Sequence, residues 1–343
     1  MELSEIYQQI NKRLDKIDFS SLYRGFYRLK FALYNATQCY FNGNYIPKSD
    51  VFLANTAIEY EGEYIAIWMI AEDINDFDAL TASLVHEMFH GYQQIMHESR
   101  WSHEMEALLN YQYSVDNLSN KYRENQMLKQ CLESHDKETF NELCQIRKER
   151  LISHPFEYDY EARVEQIEGT AKYVEWQALQ KLDSQKGHQM HEKMMEEIID
   201  PKQYFPIRII SYSIGALLLE AIRKYTAFDF ESFTEIPFSI AAIKDTSELP
   251  NKCYRNEKIS HCLSDYQEQT KSIIQKALAK NECVLEGKYP LLGVNVYDAR
   301  YFNHYVTSNY FVSYQDNGKE IILNGDFLIL LDNDGSIVKI YQQ

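Results

Sequence analysis

Apolar side chains between Asp78 and Met96 recur at the spacing of an α-helix, and this is the clearest pattern in the chain. The apolar positions form two rows: Leu80, Leu84 and Met88 in one, and Val85, Phe89, Tyr92 and Met96 in the other. The stretch contains no proline, and Asp76 or Asp78 is suited to cap its first turn. The pattern predicts a helix over 78–96 that is buried on much of its surface.

Other segments of the first 282 residues carry helix or strand patterns. Residues 1–34 have a helical pattern, and further helices are predicted over 104–132, 137–153, 160–180 and 257–279. Two β-rich stretches, 51–60 and 64–71, flank Glu61-Gly62-Glu63, which predicts a β-hairpin over 51–71. We therefore expect a mostly helical unit with a small sheet directly before the 78–96 helix.

The composition changes at about residue 283. Residues 284–343 are rich in aromatic and β-branched residues and carry turn signals at Asp316-Asn317-Gly318, Asn324-Gly325 and Asp332-Asn333-Asp334-Gly335. Short antiparallel strands are predicted over 319–323, 326–331 and 336–341. The chain is thus predicted to be of the α+β class, with a mostly helical domain over 1–282 and a small all-β domain over 283–343.

The formal net charge of −16 narrows the classes of partner. An acidic surface repels nucleic acid and anionic membranes, so we expect neither as a partner. The N-terminal residues lack the apolar core of a secretion signal, and no apolar run is long enough to cross a bilayer. Without an export signal, the six cysteines are expected to be free thiols in a cytoplasmic protein. The sequence carries no signal for the oligomeric state.

Within the 78–96 helix lies His86-Glu87-Met88-Phe89-His90, an H-E-x-x-H run. Residues four apart share one face of a helix, so two imidazoles can hold one metal ion from one side. The glutamate beside the first histidine then lies next to the metal without binding it, where it can accept a proton from water. This is the chemistry of a zinc hydrolase. The alternative is a chance match whose side chains are satisfied by ordinary hydrogen bonds.

A catalytic zinc site usually has a third protein ligand. The metzincin pattern is excluded, because Gln93 and Met96 occupy the positions of its glycine and its third histidine. His97 misses that position by one residue and His103 lies further on, so both are interpreted as surface or structural histidines.

The predicted helix over 160–180 offers Glu161, Glu165 and Glu168 on one face. Glu168 is favoured because Gly169 follows it. A glycine inside a helix costs about 1 kcal/mol relative to alanine, and its usual compensation is the close approach of another backbone. We expect that backbone to be the H-E-x-x-H helix. Glu161 and Glu165 remain alternatives.

H-E-x-x-H followed by a helix with Glu-Gly-x-Ala resembles the gluzincin class of zinc metallopeptidases, which includes thermolysin and the large zinc aminopeptidases. The resemblance implies a zincin-like catalytic domain in which His86, His90 and Glu168 bind Zn²⁺ and Glu87 is the general base. It implies that metal-activated water hydrolyses peptide bonds in a peptide or protein substrate. It also implies a sheet edge that holds the substrate as an added strand. By position the candidate is Tyr64–Ala71, with an internal strand as the alternative.

Tyr212-Ser-Ile-Gly215 opens an apolar helix and resembles the segment of zinc aminopeptidases in which a tyrosine hydroxyl faces the scissile carbonyl. The resemblance implies that Tyr212 is catalytic and donates a hydrogen bond to the oxyanion. The alternative is that Tyr212 only packs. Arg208 is expected to pair with the acidic helix rather than to bind a substrate carboxylate.

Two other functions stay open at this point. One is a regulatory or peptide-binding protein that keeps the zinc site without turnover, against which the intact Glu87 argues, because a binding site needs no base. The other is a metal-free helical scaffold with a chance motif.

Overall fold

A computed structural model describes residues 1–229, 231, 235–247 and 254–343. The helices among these residues are α1 (Leu3–Leu14), α2 (Phe19–Leu22), α3 (Phe77–Ile95), α4 (Glu104–Asn110), α5 (Val115–Ser134), α6 (Lys137–Ser153), α7 (Pro155–Val164), α8 (Thr170–Leu182), α9 (Ser184–Glu197), α10 (Ile207–Tyr225), α11 (Phe238–Ala241) and α12 (Glu257–Lys280). The strands are β1 (Phe31–Tyr34), β2 (Gln38–Phe41), β3 (Asn44–Pro47), β4 (Thr56–Tyr60), β5 (Glu63–Met69), β6 (Cys283–Val294), β7 (Arg300–Phe302), β8 (Tyr305–Ser308), β9 (Phe311–Asp316), β10 (Lys319–Asn324), β11 (Phe327–Leu331) and β12 (Ser336–Gln342). The fold is α+β, as the sequence predicted.

The N-terminal sheet has the strand order β3-β2-β1-β5-β4. The predicted hairpin is confirmed as β4 and β5, which turn at Glu61 and Gly62 with φ angles of 53° and 83°. The helical prediction for 1–34 holds for α1 and α2 but is wrong for Phe31–Tyr34. Those residues form β1, because all four are buried and pair in parallel with β5. Strand β5 is internal and β4 lies at the edge of the sheet. Of the two alternatives for Tyr64–Ala71, the internal strand is therefore confirmed and the edge strand is wrong.

Helix α3 agrees with its predicted bounds to within one residue at each end. Asp76 is its N-cap, and the carboxylate accepts hydrogen bonds of 3.0 Å from the backbone N–H groups of Asp78 and Ala79. One side of α3 packs on β4 and β5 and the other on α8. Leu84 and Val85 are fully buried as a result.

The helix predicted over 160–180 belongs to a longer helical run from Pro155 to Leu182. Its two α-helices, α7 and α8, are joined without a break by a π-helical turn over Glu165–Gly169. One extra residue per turn re-aims the side chains that follow, and such turns are frequent at functional sites.

The C-terminal sheet is antiparallel and has the strand order β10-β9-β6-β12-β11-β8-β7. The three predicted strands are confirmed to within one residue at each end as β10, β11 and β12. Asp332–Gly335 is the turn between β11 and β12, as expected, whereas Asn324-Gly325 connects β10 to the non-adjacent strand β11. The sheet packs against the rest of the chain through α4 and α12.

Two further expectations can be compared with the structure. Within the described ranges, none of the helices is long and apolar enough to span a membrane. Five of the six cysteines are described and all five are free thiols, while Cys253 lies outside the described residues.

Candidate metal centre and active site

Two histidines of α3 and one glutamate of the π-helical turn converge on a single point. The Nε2 atoms of His86 and His90 lie 3.1 Å apart. Glu168 Oε2 lies 3.6 Å from the first and 3.3 Å from the second. A tetrahedral zinc ion with bonds of about 2.0–2.2 Å holds its ligand atoms roughly 3.3–3.6 Å apart. Both histidine–glutamate distances match this spacing, and the distance between the two histidine nitrogens is slightly shorter.

The Gln93 side chain fixes the orientation of the His90 ring. The amide nitrogen of Gln93 donates to the Ile167 carbonyl oxygen and to Thr170 Oγ1, both at 3.0 Å. Its amide oxygen must then face His90 Nδ1, which lies 2.8 Å away. Because an amide oxygen only accepts, His90 donates from Nδ1 and keeps a lone pair on Nε2.

Glu175 fixes the His86 ring in the same way. Its Oε2 lies 3.2 Å from His86 Nδ1 and 3.0 Å from Lys172 Nζ. Burial alone would raise the pKa of Glu175, but Lys172 and His86 lower it to about 2. Glu175 is thus an ionised acceptor for the Nδ1–H of His86, and the Nε2 atom of His86 faces the interior of the site. Outer partners of this kind are typical of metal-binding histidines.

Three acceptor atoms that face one another at these distances repel unless a positive charge lies between them. Burial disfavours a charged imidazole, but Glu168 and Glu175 outweigh it and raise the pKa of His86 to about 10. Burial would also raise the pKa of Glu168, yet His90, His86 and Arg208 hold it well below its ordinary value. The site therefore stabilises a cation where the three acceptors meet, and a divalent metal ion fits this donor set.

Glu87 lines the same pocket as the three candidate ligands. Its burial raises its pKa, although His86 and His90 act in the opposite direction. Among the described residues, none forms a hydrogen bond with its carboxylate, so the group faces the pocket without a competing partner.

Close contact between two glycines brings α10 to the site. A Cβ atom on Gly169 would lie 2.6 Å from Gly215 Cα, so the two backbones touch. The predicted close approach at Gly169 is confirmed, but its partner is α10 and not α3. Because Tyr212 and Arg208 lie one and two turns before Gly215, the same contact directs both towards Glu168.

Arg208 connects the candidate ligand to its surroundings. Its Nη2 donates to Glu168 Oε1 at 2.8 Å, and its Nε lies 3.1 Å from Glu104 Oε1 in an ion pair. The expected pairing of Arg208 with the acidic helix is thus confirmed. Nη1 donates to the Tyr212 hydroxyl, which leaves that hydroxyl its own proton to donate. Burial, followed by Glu168, raises the pKa of Tyr212, so it stays protonated.

The alternative ligands Glu161 and Glu165 do not reach His86 and His90. Both are buried beside cations: Lys121 Nζ lies 2.8 Å from Glu161 Oε2 and 3.3 Å from Glu165 Oε1. Arg147 donates to Glu165 at 2.7 Å, and Arg150 binds Glu161. These two carboxylates are thus occupied in a buried charge cluster, which also contains Glu124.

The pocket around the three candidate ligands has a volume of about 290 Å³. Asn55 and the first residues of the edge strand β4, Thr56 and Ala57, form one side of it. Tyr297, from the loop between β6 and β7, forms another side. His97 and His103 are exposed and do not line the pocket, as the sequence predicted.

Three residues of the site were not anticipated from the sequence. Gln93 and Glu175 follow His90 and Glu168 by three and seven residues, so helical spacing could have indicated them as outer partners. No sequence pattern indicated Tyr297, because its position in the pocket depends on how the C-terminal sheet packs.

Comparison of the chain with models of known protein families, with curated protein sequences and with solved structures finds no match. The chemistry of the pocket is therefore the basis for inferring a function.

Proposed function

We propose that this protein is a zinc-dependent peptidase of the gluzincin type, with His86, His90 and Glu168 as zinc ligands. The observation that carries the proposal is the convergence of three acceptor atoms on one point. Gln93 and Glu175 orient the two histidine rings, and Arg208 pairs with the Glu168 carboxylate. Two imidazoles and one carboxylate with a position left for water form a typical catalytic zinc set. When bound, zinc would supply Lewis acidity and lower the pKa of water.

Glu87 is the proposed general base. It follows the first ligand on α3 and faces the pocket, where its carboxylate can accept a proton from the attacking water and return it to the leaving nitrogen. Burial raises the pKa of Glu87, which makes the carboxylate a stronger base than an exposed glutamate.

Tyr212 is the proposed hydrogen-bond donor to the oxyanion. Its hydroxyl accepts from Arg208, which polarises the remaining O–H, and Tyr297, which lines the same pocket, is a further side-chain hydrogen-bond partner. A donor fixed in place before the reaction stabilises charge that develops in the transition state.

The proposed substrate is a peptide or protein segment in extended conformation. Strand β4 lies at the edge of its sheet and lines the pocket through Thr56 and Ala57. An extended segment that pairs with this edge would present its backbone carbonyls to the site. The five free cysteines favour a cytoplasmic location, and the net charge of −16 disfavours nucleic acid and membranes as partners.

The purified wild-type chain, two site variants and one control variant test this proposal. We expect one zinc ion per chain by elemental analysis without chelators, and its loss in Glu168→Gln but not in the exposed control Glu133→Gln. Glu87→Gln should keep zinc while hydrolysis of a mixed peptide pool, read by mass spectrometry, falls by about 10²–10⁴. A chain without divalent metal would refute the proposal.

The alternative is a protein that binds peptides at the zinc site without turnover. It predicts zinc in the wild-type chain, retention of peptides and no new peptide termini. The unpartnered Glu87 carboxylate argues against it, and the peptide pool separates the two functions.

A further inference from the structure

The loop between β6 and β7 brings a side chain of the C-terminal sheet to the metal pocket. Tyr297 in this loop lines the pocket together with the candidate ligands, and the residue is 56% exposed. Every motif that resembles the gluzincin class lies between His86 and Gly215, in the helical part of the chain. The C-terminal sheet thus supplies a group to the pocket that the resemblance does not include.

The conformation of this loop is fixed by the sheet from which it extends. Ala299, at the end of the loop, is buried in the core of that sheet. The Asn295 side chain accepts a hydrogen bond of 3.3 Å from the Tyr297 backbone N–H, and its carbonyl accepts one of 3.0 Å from the Ala299 N–H. Asp298 accepts a hydrogen bond of 2.6 Å from the Asn309 side-chain amide. Tyr297 is therefore presented to the pocket by a loop with a defined conformation.

Arg208 is the common neighbour of Tyr297 and Tyr212. Its guanidinium carbon lies 5.2 Å from the centre of the Tyr212 ring and 5.3 Å from the centre of the Tyr297 ring. A guanidinium within about 6 Å of a ring centre is attracted to the face of that ring. One buried cation thus holds the two tyrosines beside each other, although they belong to different parts of the chain.

The two tyrosines also meet through their hydroxyl groups. Arg208 can only donate, so the Tyr212 oxygen accepts from it and retains its own proton. The Tyr297 side chain is a second hydrogen-bond partner of Tyr212. Burial and then Glu168 raise the pKa of Tyr212, and the contact with Tyr297 acts in the same direction. A hydroxyl held by two partners is more narrowly positioned than a hydroxyl held by one.

We propose that Tyr297 is a positioning residue of the active site and that it acts through Tyr212, whose hydroxyl it holds in place for the oxyanion. The C-terminal sheet is then part of the catalytic unit, because the loop that it supports carries Tyr297. The proposal rests on the proposed peptidase function, since that function provides the oxyanion. Tyr297 is not one of the candidate ligands, so its effect belongs to turnover and not to zinc content.

Tyr297→Phe removes the hydroxyl and keeps the ring against Arg208. Loss of one hydrogen bond to Tyr212 should lower kcat by about 3–10-fold with KM little changed, measured on the best-cleaved member of a mixed octapeptide pool. Tyr301→Phe is the matched control, because Tyr301 belongs to the same sheet but does not line the metal pocket. It should keep the wild-type kcat, and both variants should keep one zinc ion per chain.

The double variant Tyr212→Phe/Tyr297→Phe shows whether Tyr297 acts through Tyr212. If it does, the hydroxyl that Tyr297 positions is already absent, and kcat should equal that of Tyr212→Phe alone. A purely structural role would lower kcat by the same factor in both backgrounds. An unchanged kcat in Tyr297→Phe, or losses that multiply in the double variant, would overturn the positioning role but not the peptidase.

If the wild type cleaves no peptide, the peptidase proposal fails and binding replaces turnover as the measurement. The probe is an acetylated and amidated tetra-alanine in which a phosphinate group replaces the central peptide bond, so that its charged oxygens stand in for the oxyanion. Calorimetry with zinc-loaded protein should show that Tyr297→Phe raises Kd by about 3–10-fold, and that it has no effect in the Tyr212→Phe background. A Kd that Tyr297→Phe leaves unchanged, or no binding to the wild type, overturns the proposal.

Discussion

At the residue scale, the geometry of the candidate metal site depends on side chains that contact the candidate ligands. Sequence spacing alone indicated His86, Glu87 and His90. Glu168 was favoured as the third ligand because Gly169 follows it. The sequence did not indicate that Gln93 and Glu175 set the tautomers of the two histidines, because a tautomer depends on partners from other helices. The convergence of the three candidate ligands could thus be predicted, whereas the contacts that orient them could not.

Glu175→Gln tests the role of these outer partners. The substitution keeps the shape of the side chain but removes the charge that orients His86 and neutralises Lys172. We expect zinc affinity to fall by about 10–100-fold with little change in fold. Competition with a chromophoric chelator measures the affinity, with Glu133→Gln as control. An unchanged affinity would show that Glu175 has only a structural role.

Tyr212→Phe tests the oxyanion donor. Phenylalanine keeps the ring, which lies 5.2 Å from the Arg208 guanidinium, and removes only the hydroxyl. We expect kcat and kcat/KM to fall together by roughly 10²–10³ with KM little changed. Zinc content should stay near wild type, and the thermal midpoint should fall moderately because the buried Arg208 guanidinium loses one acceptor. Full activity in this variant would identify Tyr212 as a packing residue.

At the scale of helices and strands, elements with a clear local sequence pattern were predicted better than elements that depend on contacts between distant segments. The alternation and turn signals of β4, β5 and the last three strands were sufficient, because hairpins form between neighbouring segments. Strand β1 was missed although it forms a local hairpin with β2. Its other partner, β5, lies about thirty residues away, and such pairing overrides local propensity. Asn42-Gly43 was a usable but unrecognised hairpin signal between β2 and β3.

Gly169→Ala tests the contact between the π-helical turn and α10. The added Cβ would lie 2.6 Å from Gly215 Cα, and a backbone atom cannot move aside as a side chain can. We expect the free energy of unfolding to fall by about 1–3 kcal/mol and zinc affinity to fall because Glu168 shifts. Chemical denaturation and zinc titration measure the two effects.

Gly91→Ala on α3 is the matched control for that substitution. Its Cβ would meet Leu29 Cδ1 at 2.7 Å, which is the end of a flexible side chain. We expect a smaller loss of stability and unchanged zinc affinity. Equal losses in both variants would mean that the contact of Gly169 with Gly215 has no special importance.

At the scale of the whole molecule, two interiors of different chemistry flank the site. One is the apolar core around α3, and the other is the buried cluster of Lys121, Glu124, Arg147, Arg150, Glu161 and Glu165. The sequence showed the acidic stripe of the 160–180 helix but not its cationic partners, which come from α5 and α6. For this reason Glu161 and Glu165 remained alternatives for the third ligand until the packing was known.

Glu165→Gln distinguishes a role of Glu165 in the buried charge cluster from a role as zinc ligand. Removal of one anion leaves Arg147 and Lys121 without full compensation, so we expect a loss of about 3–5 kcal/mol in the free energy of unfolding. The folded fraction should still bind one zinc ion per chain. Loss of zinc with unchanged stability would instead identify Glu165 as a ligand.

The contact between Gly169 and Gly215 constrains which substitutions two distant segments of the chain can accept during evolution. A larger residue at either position requires the other helix to retreat, so substitutions at the two sites should occur as a pair or not at all. Any homologue that keeps this site should combine H-E-x-x-H with a later E-G and a still later R-x-x-x-Y-x-x-G, however far the rest has diverged. Such a spaced pattern discriminates against chance H-E-x-x-H matches better than the short motif does.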